Sequence, residues 1–181
     1  MTSRPRTIAE INALDRDAFV ATLGGLFDGS PWVAAETWPA RPFADLVALH
    51  RGLCGAMRAE RFDRHLTLIR AHPDLVGRAA LAGTLTREST GEQAAAGLDP
   101  GPLTAAEIEV FAIANTAYTE RFGFPFVICA REQTKETILA GLAARLANSR
   151  EAEIATALGE IERIAWYRLV DVVGDDEGGA R

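Results

Sequence analysis

The sequence predicts an all-α protein, a single irregular bundle of helices over residues 1–173. Most of the chain repeats apolar residues at intervals of three and four, which is the period of an amphipathic helix. Capping residues and prolines separate these segments at helical lengths. Only residues 124–130 have the composition of a strand, and one short strand would have no partner. The 181 residues suit one domain of ordinary size.

The predicted helices follow one another along the chain. Asp15 is a candidate N-cap for the first helix, and Pro31 suits the first position of the second. The helix that precedes Pro73 must stop near His72, because the residue before a proline avoids helical geometry. Helices are predicted over residues 15–27, 31–38, 43–60, 61–72, 74–80, 90–96, 104–122, 134–147 and 151–173. The polar, Gly-rich residues 174–181 are expected to form a disordered tail.

Charge and composition exclude several classes of partner. The net charge is −6, and no stripe of Lys and Arg would follow a phosphate backbone, so a nucleic acid partner is not expected. The apolar runs fall short of the ~18 residues that span a bilayer. The N-terminal arginines precede no apolar secretory segment, and two isolated cysteines suit a reducing compartment. We therefore expect a cytoplasmic protein that binds neither nucleic acid nor membrane.

Arg168 lies on the apolar stripe of the last predicted helix. That stripe has helical spacing and consists of Ile154, Leu158, Ile161, Ala165, Arg168 and Val172. In one interpretation, the stem of Arg168 packs against the core while its guanidinium reaches water or pairs with Asp171. In the other, the guanidinium points into a pocket and binds a carboxylate through two hydrogen bonds.

His72 stands between the end of one predicted helix and Pro73, the expected first residue of the next. In that N-cap position the positive end of the helix dipole would disfavour the imidazolium form. A neutral imidazole can exchange a proton near neutral pH, so His72 is a candidate acid or base. The simpler interpretation is a helix cap. A metal site with His50 and His65 is disfavoured, because the spacings match no usual ligand set.

The segment Ser89-Thr90-Gly91-Glu92-Gln93 also has two interpretations. Ser-x-x-Glu is the pattern of a capping box, in which Glu92 would bond to the Ser89 main chain at the start of a helix. A hydroxyl, a carboxylate and an amide gathered at a helix start would equally form one wall of a polar pocket.

Residues 122–128, with the sequence FGFPFVI, are too apolar for a surface loop and too interrupted for a helix. One interpretation is an aromatic plug in the core. If the segment instead borders a cavity, its main-chain N–H and C=O groups need partners, which a polar ligand can supply. Asn115 lies on the apolar stripe of the preceding helix and is expected to satisfy some of these groups.

Together and in this order, these features closely resemble one family: the decarboxylases of 2-oxo-4-hydroxy-4-carboxy-5-ureidoimidazoline (OHCU), which act in uric acid degradation. The resemblance covers roughly residues 8–173. It is carried by His72-Pro73-Asp74-Leu75, Gly83-Thr84-Leu85-Thr86, Ser89-x-x-Glu92-Gln93 followed by Ala96-Gly97-Leu98, Asn115 to Tyr118, Phe122-Gly123-Phe124-Pro125-Phe126-Val127, Trp38 with Arg41-Pro42-Phe43, and Arg168-Leu169.

The resemblance implies an all-α homodimer that converts OHCU to (S)-allantoin and carbon dioxide without a cofactor or a metal. The family's catalytic histidine and glutamate correspond to His72 and Glu92. Its substrate-binding residues correspond to Pro73, Ser89, Gln93, Phe124, Ile128 and Arg168, and the main chain of residues 124–128 would line the same pocket.

The chemistry of OHCU agrees with a reaction that needs no cofactor. Its carboxylate is on a carbon that bears a hydroxyl beside a ring C=N bond, so the electrons released with carbon dioxide can flow into that bond. The protein must orient the carboxylate, stabilise the displaced charge and deliver a proton to one face. We expect His72 to act as acid or base, polarised by Glu92. Arg168, Gln93 and Ser89 would hold the ureido and ring groups.

Two other functions remain open from the residues. A hydrolase would use Cys129 as nucleophile and His72 as base. However, Cys129 lies in an apolar run typical of inert buried cysteines, and only Arg131 is near it in the sequence to activate it. A ligand-binding module would use the same pocket to bind a ureide without turnover.

Overall fold

A computed structural model of the chain describes residues 4–98 and 103–174. These residues form ten α-helices: α1 (Ile8–Asn12), α2 (Arg16–Leu23), α3 (Trp32–Thr37), α4 (Leu46–Arg58), α5 (Phe62–Arg70), α6 (Arg78–Leu81), α7 (Arg87–Ala95), α8 (Ala105–Phe122), α9 (Lys135–Arg145) and α10 (Arg150–Val172). The two described ranges contain no strand, only an isolated parallel bridge between Arg6 and Val173. The all-α prediction is confirmed.

The described residues divide into two compact units. The first runs to Leu68 and resumes at Glu162, and the second comprises Ile69–Ile161. The expectation of one bundle over residues 1–173 stays a prediction. Of the tail expected at residues 174–181, residues 175–181 lie outside the described ranges. Within those ranges, no helix combines the length and the apolar composition needed to cross a membrane.

In the first unit, α2, α3 and α4 pack on one another. The Asp15 carboxylate accepts a hydrogen bond from the Ala18 N–H at 2.8 Å, so the predicted N-cap of α2 is confirmed. After Leu23 the chain continues as a short 3-10 turn, close to the predicted end. The buried side chains of α2 and α4 include Phe19, Leu23, Leu49, Leu53 and Met57, which are all 0% exposed.

Helix α1 is too short for its sequence pattern to have indicated it. It begins with a capping box, in which the Thr7 hydroxyl accepts from the Glu10 N–H at 3.2 Å and the Glu10 carboxylate accepts from the Thr7 N–H at 2.9 Å. These two bonds satisfy main-chain donors that a helix start leaves open. The helix buries Ile8 and Ile11.

In the second unit, α8 matches the prediction over residues 104–122. Thr104 and Glu107 form a capping box at its start. Gly123 ends the helix with φ 78°, a left-handed conformation that glycine adopts without strain. The buried face carries Phe111, Asn115, Tyr118 and Phe122.

The predicted helix over residues 74–80 is wrong for most of its length. Helix α6 covers only Arg78–Leu81, and residues 71–77 form a loop. A Cβ at Gly77 would lie 2.6 Å from the Cβ of Asp74, so the turn has room only for glycine. Val76 has φ 53°, a left-handed conformation that is rare for a β-branched residue and incompatible with a helix here.

Helix α7 begins at Arg87, before the predicted start at residue 90, because Thr86 is its N-cap. The Thr86 hydroxyl accepts a hydrogen bond from the Ser89 N–H at 3.1 Å. Ser89 and Glu92 therefore both lie inside the helix. The capping-box interpretation of these two residues is wrong.

Thr104→Ala is expected to lower the free energy of unfolding by about 1 kcal/mol, because the first turn of α8 loses the hydroxyl that accepts from the Glu107 N–H. Thr104→Ser keeps that acceptor and serves as the control. Urea denaturation followed by far-UV circular dichroism measures both variants. Equal losses of stability in the two would contradict a role for the cap.

Candidate active site

His72 lies in the loop of residues 71–77, in the second unit, and is 7% exposed. Its N–H donates to the Ile69 carbonyl at 3.2 Å, and its Nε2 atom is shielded from solvent. The predicted N-cap position is wrong, since no helix begins at Pro73. His72 and Pro73 instead line a cleft of about 580 Å³ together with Pro125.

Two buried amide side chains hold this loop in place. The Asn115 Nδ2 donates to the Leu75 carbonyl at 2.8 Å, and the Gln93 Oε1 accepts from the Val76 N–H at 3.0 Å. Both side chains are almost fully buried, at 7% and 4% exposed. The second bond supports the left-handed conformation of Val76 and orients Gln93 so that its Nε2 end is the donor.

Helix α7 presents three buried polar side chains, Ser89, Glu92 and Gln93. The Thr86 hydroxyl donates to the Ser89 Oγ at 3.0 Å. Because each hydroxyl carries one proton, Ser89 keeps its own proton for another acceptor. The helix packs against the 3-10 turn Ala130–Glu132.

Residues 124–129 form an irregular segment between α8 and that turn. Phe124 and Phe126 are each 1% exposed, and Ile128 is half-buried. Side chains from α9 and α10 bind its main chain in its C-terminal half. The Arg145 Nη1 donates to the Val127 carbonyl at 2.8 Å, and the Glu160 carboxylate accepts from the Cys129 N–H at 2.8 Å.

The interior of the same segment presents main-chain donors. Among the described residues, no acceptor receives a hydrogen bond from the N–H of Phe124, Phe126, Val127 or Ile128. Main-chain donors in a segment this buried need partners, and a bound polar molecule can supply them. The aromatic side chains fill the core, as a plug would, and the interpretation of the main chain as a pocket wall stays a prediction.

The sequence patterns did not indicate the charge of the cleft beside His72. Arg70 and Arg78 both line it, so it is lined by two cations and suits an anionic group. The Arg70 Nε donates to the Gly123 carbonyl at 3.0 Å, which links α5 to the residue before Phe124. Asp74 also lines the cleft, and burial raises the pKa of its carboxyl.

Arg168 lies in the first unit, unlike the other predicted site residues. It is 3% exposed, and its guanidinium binds Asp28 through two hydrogen bonds, Nη1–Oδ1 at 2.9 Å and Nη2–Oδ2 at 3.2 Å. The bidentate geometry predicted for a ligand carboxylate is thus formed with a carboxylate of the protein. Asp28 was missed, because Asp-Gly at residues 28–29 has the composition of an ordinary turn.

The other two histidines bond to main-chain carbonyls, and the Cys129 thiol is buried. His50 and His65 hydrogen-bond to the carbonyls of Glu162 and Met57, each at 2.9 Å. Among the described residues, no group of three or more His, Cys, Asp or Glu could hold a metal ion. Burial, assisted by nearby carboxylates, raises the pKa of the Cys129 thiol to about 12.

The fold is all-α, and a buried histidine lines a cleft together with two arginines and one carboxylate, an arrangement that suits an enzyme with a small polar substrate. The chain belongs to the OHCU decarboxylase family, whose model matches residues 12–170. The family resemblance seen in the sequence is thereby confirmed.

Individual relatives agree with this assignment. The chain is 40% identical over 164 residues to an OHCU decarboxylase of Amia calva, covering 91% of this chain and 93% of that protein. It is 36% identical over 172 residues to one of Halalkalicoccus jeotgali, covering 95% and 94%. A crystal structure of (S)-allantoin synthase superposes with a TM-score of 0.72 at 28% identity. That match covers 93% of this chain and 54% of the other, so this chain spans about half of that protein.

Iodoacetamide at pH 8 is expected to leave the folded protein unmodified, because burial raises the pKa of both Cys54 and Cys129 to about 12 and the thiolate is the reactive form. Unfolding in urea should expose both thiols. Intact-mass spectrometry then counts the added groups, with the unfolded protein as the control. Rapid labelling of Cys129 in the folded protein would support the hydrolase instead.

Proposed function

We propose that this chain decarboxylates OHCU to (S)-allantoin and carbon dioxide, with no metal or organic cofactor. Family membership supports this reaction, as do the names of the relatives. The observation that carries the proposal is that His72 and two arginines line one cleft together with Pro125, which belongs to the segment of residues 124–129. Such a site suits a small anion rich in amide oxygens.

The substrate itself supplies the electron sink. When carbon dioxide leaves, the bonding electrons pass into the adjacent ring C=N, whose nitrogen takes up a proton, and an enol results. The carbon of the former C=N then gains a proton on one face, while the enol hydroxyl loses its proton and becomes the ring carbonyl. The task of the protein is to orient the carboxylate, to stabilise the displaced charge and to select that face. Hydrogen-bond donors can orient the carboxylate and stabilise the charge, and one proton carrier can select the face.

His72 is the proposed proton carrier, acting at the hydroxyl and carboxylate end of the substrate. The burial of its imidazole favours this role, because a side chain held in one orientation delivers its proton from a fixed direction. Glu92 is 8% exposed, and its proposed task is to polarise the imidazole. A pH–rate profile that stays flat through the range where histidines titrate would count against His72.

Two side chains of α7 are proposed to donate hydrogen bonds to the substrate, and their bonds within the protein indicate which atom donates. Gln93 would donate through Nε2, since its Oε1 accepts from Val76, and Ser89 would donate its remaining proton. The main-chain N–H groups of Phe124 and Ile128 would bind ring or ureido oxygens. Pro73 would supply an apolar contact at the rim of the cleft.

Arg168 is a further proposed substrate-binding residue, on the family resemblance alone. Its two hydrogen bonds to Asp28 fix the plane of the guanidinium, and Nη1 also donates to the Leu26 carbonyl at 3.4 Å. Homodimerisation and a cytoplasmic location are also parts of the proposal that rest on the resemblance.

The test is the circular dichroism time course of OHCU freshly generated from urate. Wild-type protein is expected to give a fast rise of the (S)-allantoin signal, whereas the uncatalysed background is racemic and silent. His72→Ala and Glu92→Gln should each lower kcat by about 100-fold or more, the usual contribution of a positioned acid or base.

His65→Gln is the matched control, because glutamine keeps a side-chain amide that can donate to the Met57 carbonyl. It should retain wild-type turnover. Far-UV spectra establish that all variants are folded. If the wild-type protein binds (S)-allantoin but gives only the racemic background, the ligand-binding module replaces the decarboxylase.

A further inference from the structure

A buried carboxylate is linked to the segment of residues 124–129 through Arg145. Glu153, on α10, is 0% exposed and accepts hydrogen bonds from three side chains of its own unit. The Arg145 Nε donates to it at 3.0 Å and the Asn148 Nδ2 at 2.7 Å, and the Tyr118 hydroxyl also donates to it. We call Tyr118, Arg145, Asn148 and Glu153 the Glu153 network.

This network contacts the segment directly. The Arg145 Nη1 donates to the Val127 carbonyl at 2.8 Å, and its guanidinium lies 4.4 Å above the centre of the Phe126 ring. The Tyr118 ring packs edge-on against Phe124 and Phe126, with centroid distances of 6.1 Å and 5.2 Å. The Glu153 network therefore contacts one main-chain carbonyl and two aromatic side chains of a segment that has no secondary structure of its own.

Burying a charged network costs free energy, because a buried carboxylate loses its hydration. Burial opposes ionisation of Glu153, but hydrogen bonds from Arg145, Tyr118 and Asn148 keep the pKa of its carboxyl below the ordinary value. Apolar side chains of similar volume would pack without that cost, although they could not direct a guanidinium at a carbonyl. What the ion pair adds is a defined orientation of Arg145.

We propose that Arg145 and Glu153 are positioning residues, which hold residues 124–128 so that their main-chain N–H groups face the substrate. Neither residue has a role in the proton transfer. The inference rests on the proposed function, since it assigns these N–H groups to substrate binding. It predicts that damage to the network weakens binding more than it slows the chemical step.

Glu153→Gln keeps the shape of the side chain and removes its charge. The KM for OHCU and the Kd for (S)-allantoin should both rise about tenfold, while kcat falls by less than about threefold, because a segment displaced by a fraction of an ångström misdirects its donors. Arg145→Lys should behave in the same way, since lysine has no fork to bind Glu153 and Val127 together.

The matched control is Glu107→Gln. Glu107 on α8 pairs with Lys135 on α9, so this variant breaks an ion pair between helices of the same unit without touching residues 124–129. Its KM should equal that of the wild type. Thermal unfolding of every variant allows the kinetics to be measured well below the melting temperature.

Tyr118→Phe keeps the aromatic packing and removes only the hydroxyl that bonds to Glu153. This variant still tests the role of the network if Glu153→Gln does not fold. Its KM for OHCU should rise about threefold, the effect of losing one hydrogen bond of ordinary strength. An unchanged KM in Tyr118→Phe and Arg145→Lys, with wild-type turnover intact, would overturn the positioning role and leave the proposed function standing. Absence of turnover in the wild type would overturn both.

Discussion

The requirement that buried main-chain groups find hydrogen-bond partners governs the second unit. Helices satisfy their own groups, but the loop of residues 71–77 and the segment of residues 124–129 cannot. Long side chains from neighbouring helices therefore supply the missing partners. Asn115 and Gln93 bind the loop, and Arg145 and Glu160 bind the segment. The two irregular stretches acquire fixed shapes without becoming secondary structure, and both border the proposed site.

This arrangement separates stability from chemistry. The helices contribute apolar faces and capped ends, which is sufficient to build the unit. The irregular stretches contribute His72 and a set of main-chain donors. The interior of a regular helix could not present such donors, because its own N–H groups are used internally. Gln93 belongs to both parts, since its Oε1 supports the left-handed Val76 while its Nε2 is available to a ligand. A single residue thereby couples the shape of the His72 loop to the α7 side of the proposed pocket.

Much of the fold follows from local patterns. Asp15 and Thr104 mark helix starts because a capping bond joins residues three apart, which a sequence shows directly. The His72 loop was mistaken for a helix because its determinants are distant: Gln93 and Asn115 reach it from 17 and 40 residues away. Ser89 was mistaken for a cap because Thr86 offers the same pattern three residues earlier. Of the candidate site, the residue types were predictable through the family resemblance, but the partners of Arg168 and Val127 were not, since no periodicity links them.

Titration of ¹⁵N-labelled protein with (S)-allantoin tests whether the main chain of residues 124–128 binds the substrate. The amide resonances of Phe124, Phe126 and Ile128 should shift most and gain protection from hydrogen exchange, because a ligand oxygen accepts from them. Amides of α2 and α4 should stay unchanged and serve as the internal control. Saturable binding that leaves these three amides unmoved, or that perturbs a different surface, would mean that residues 124–128 do not bind the substrate.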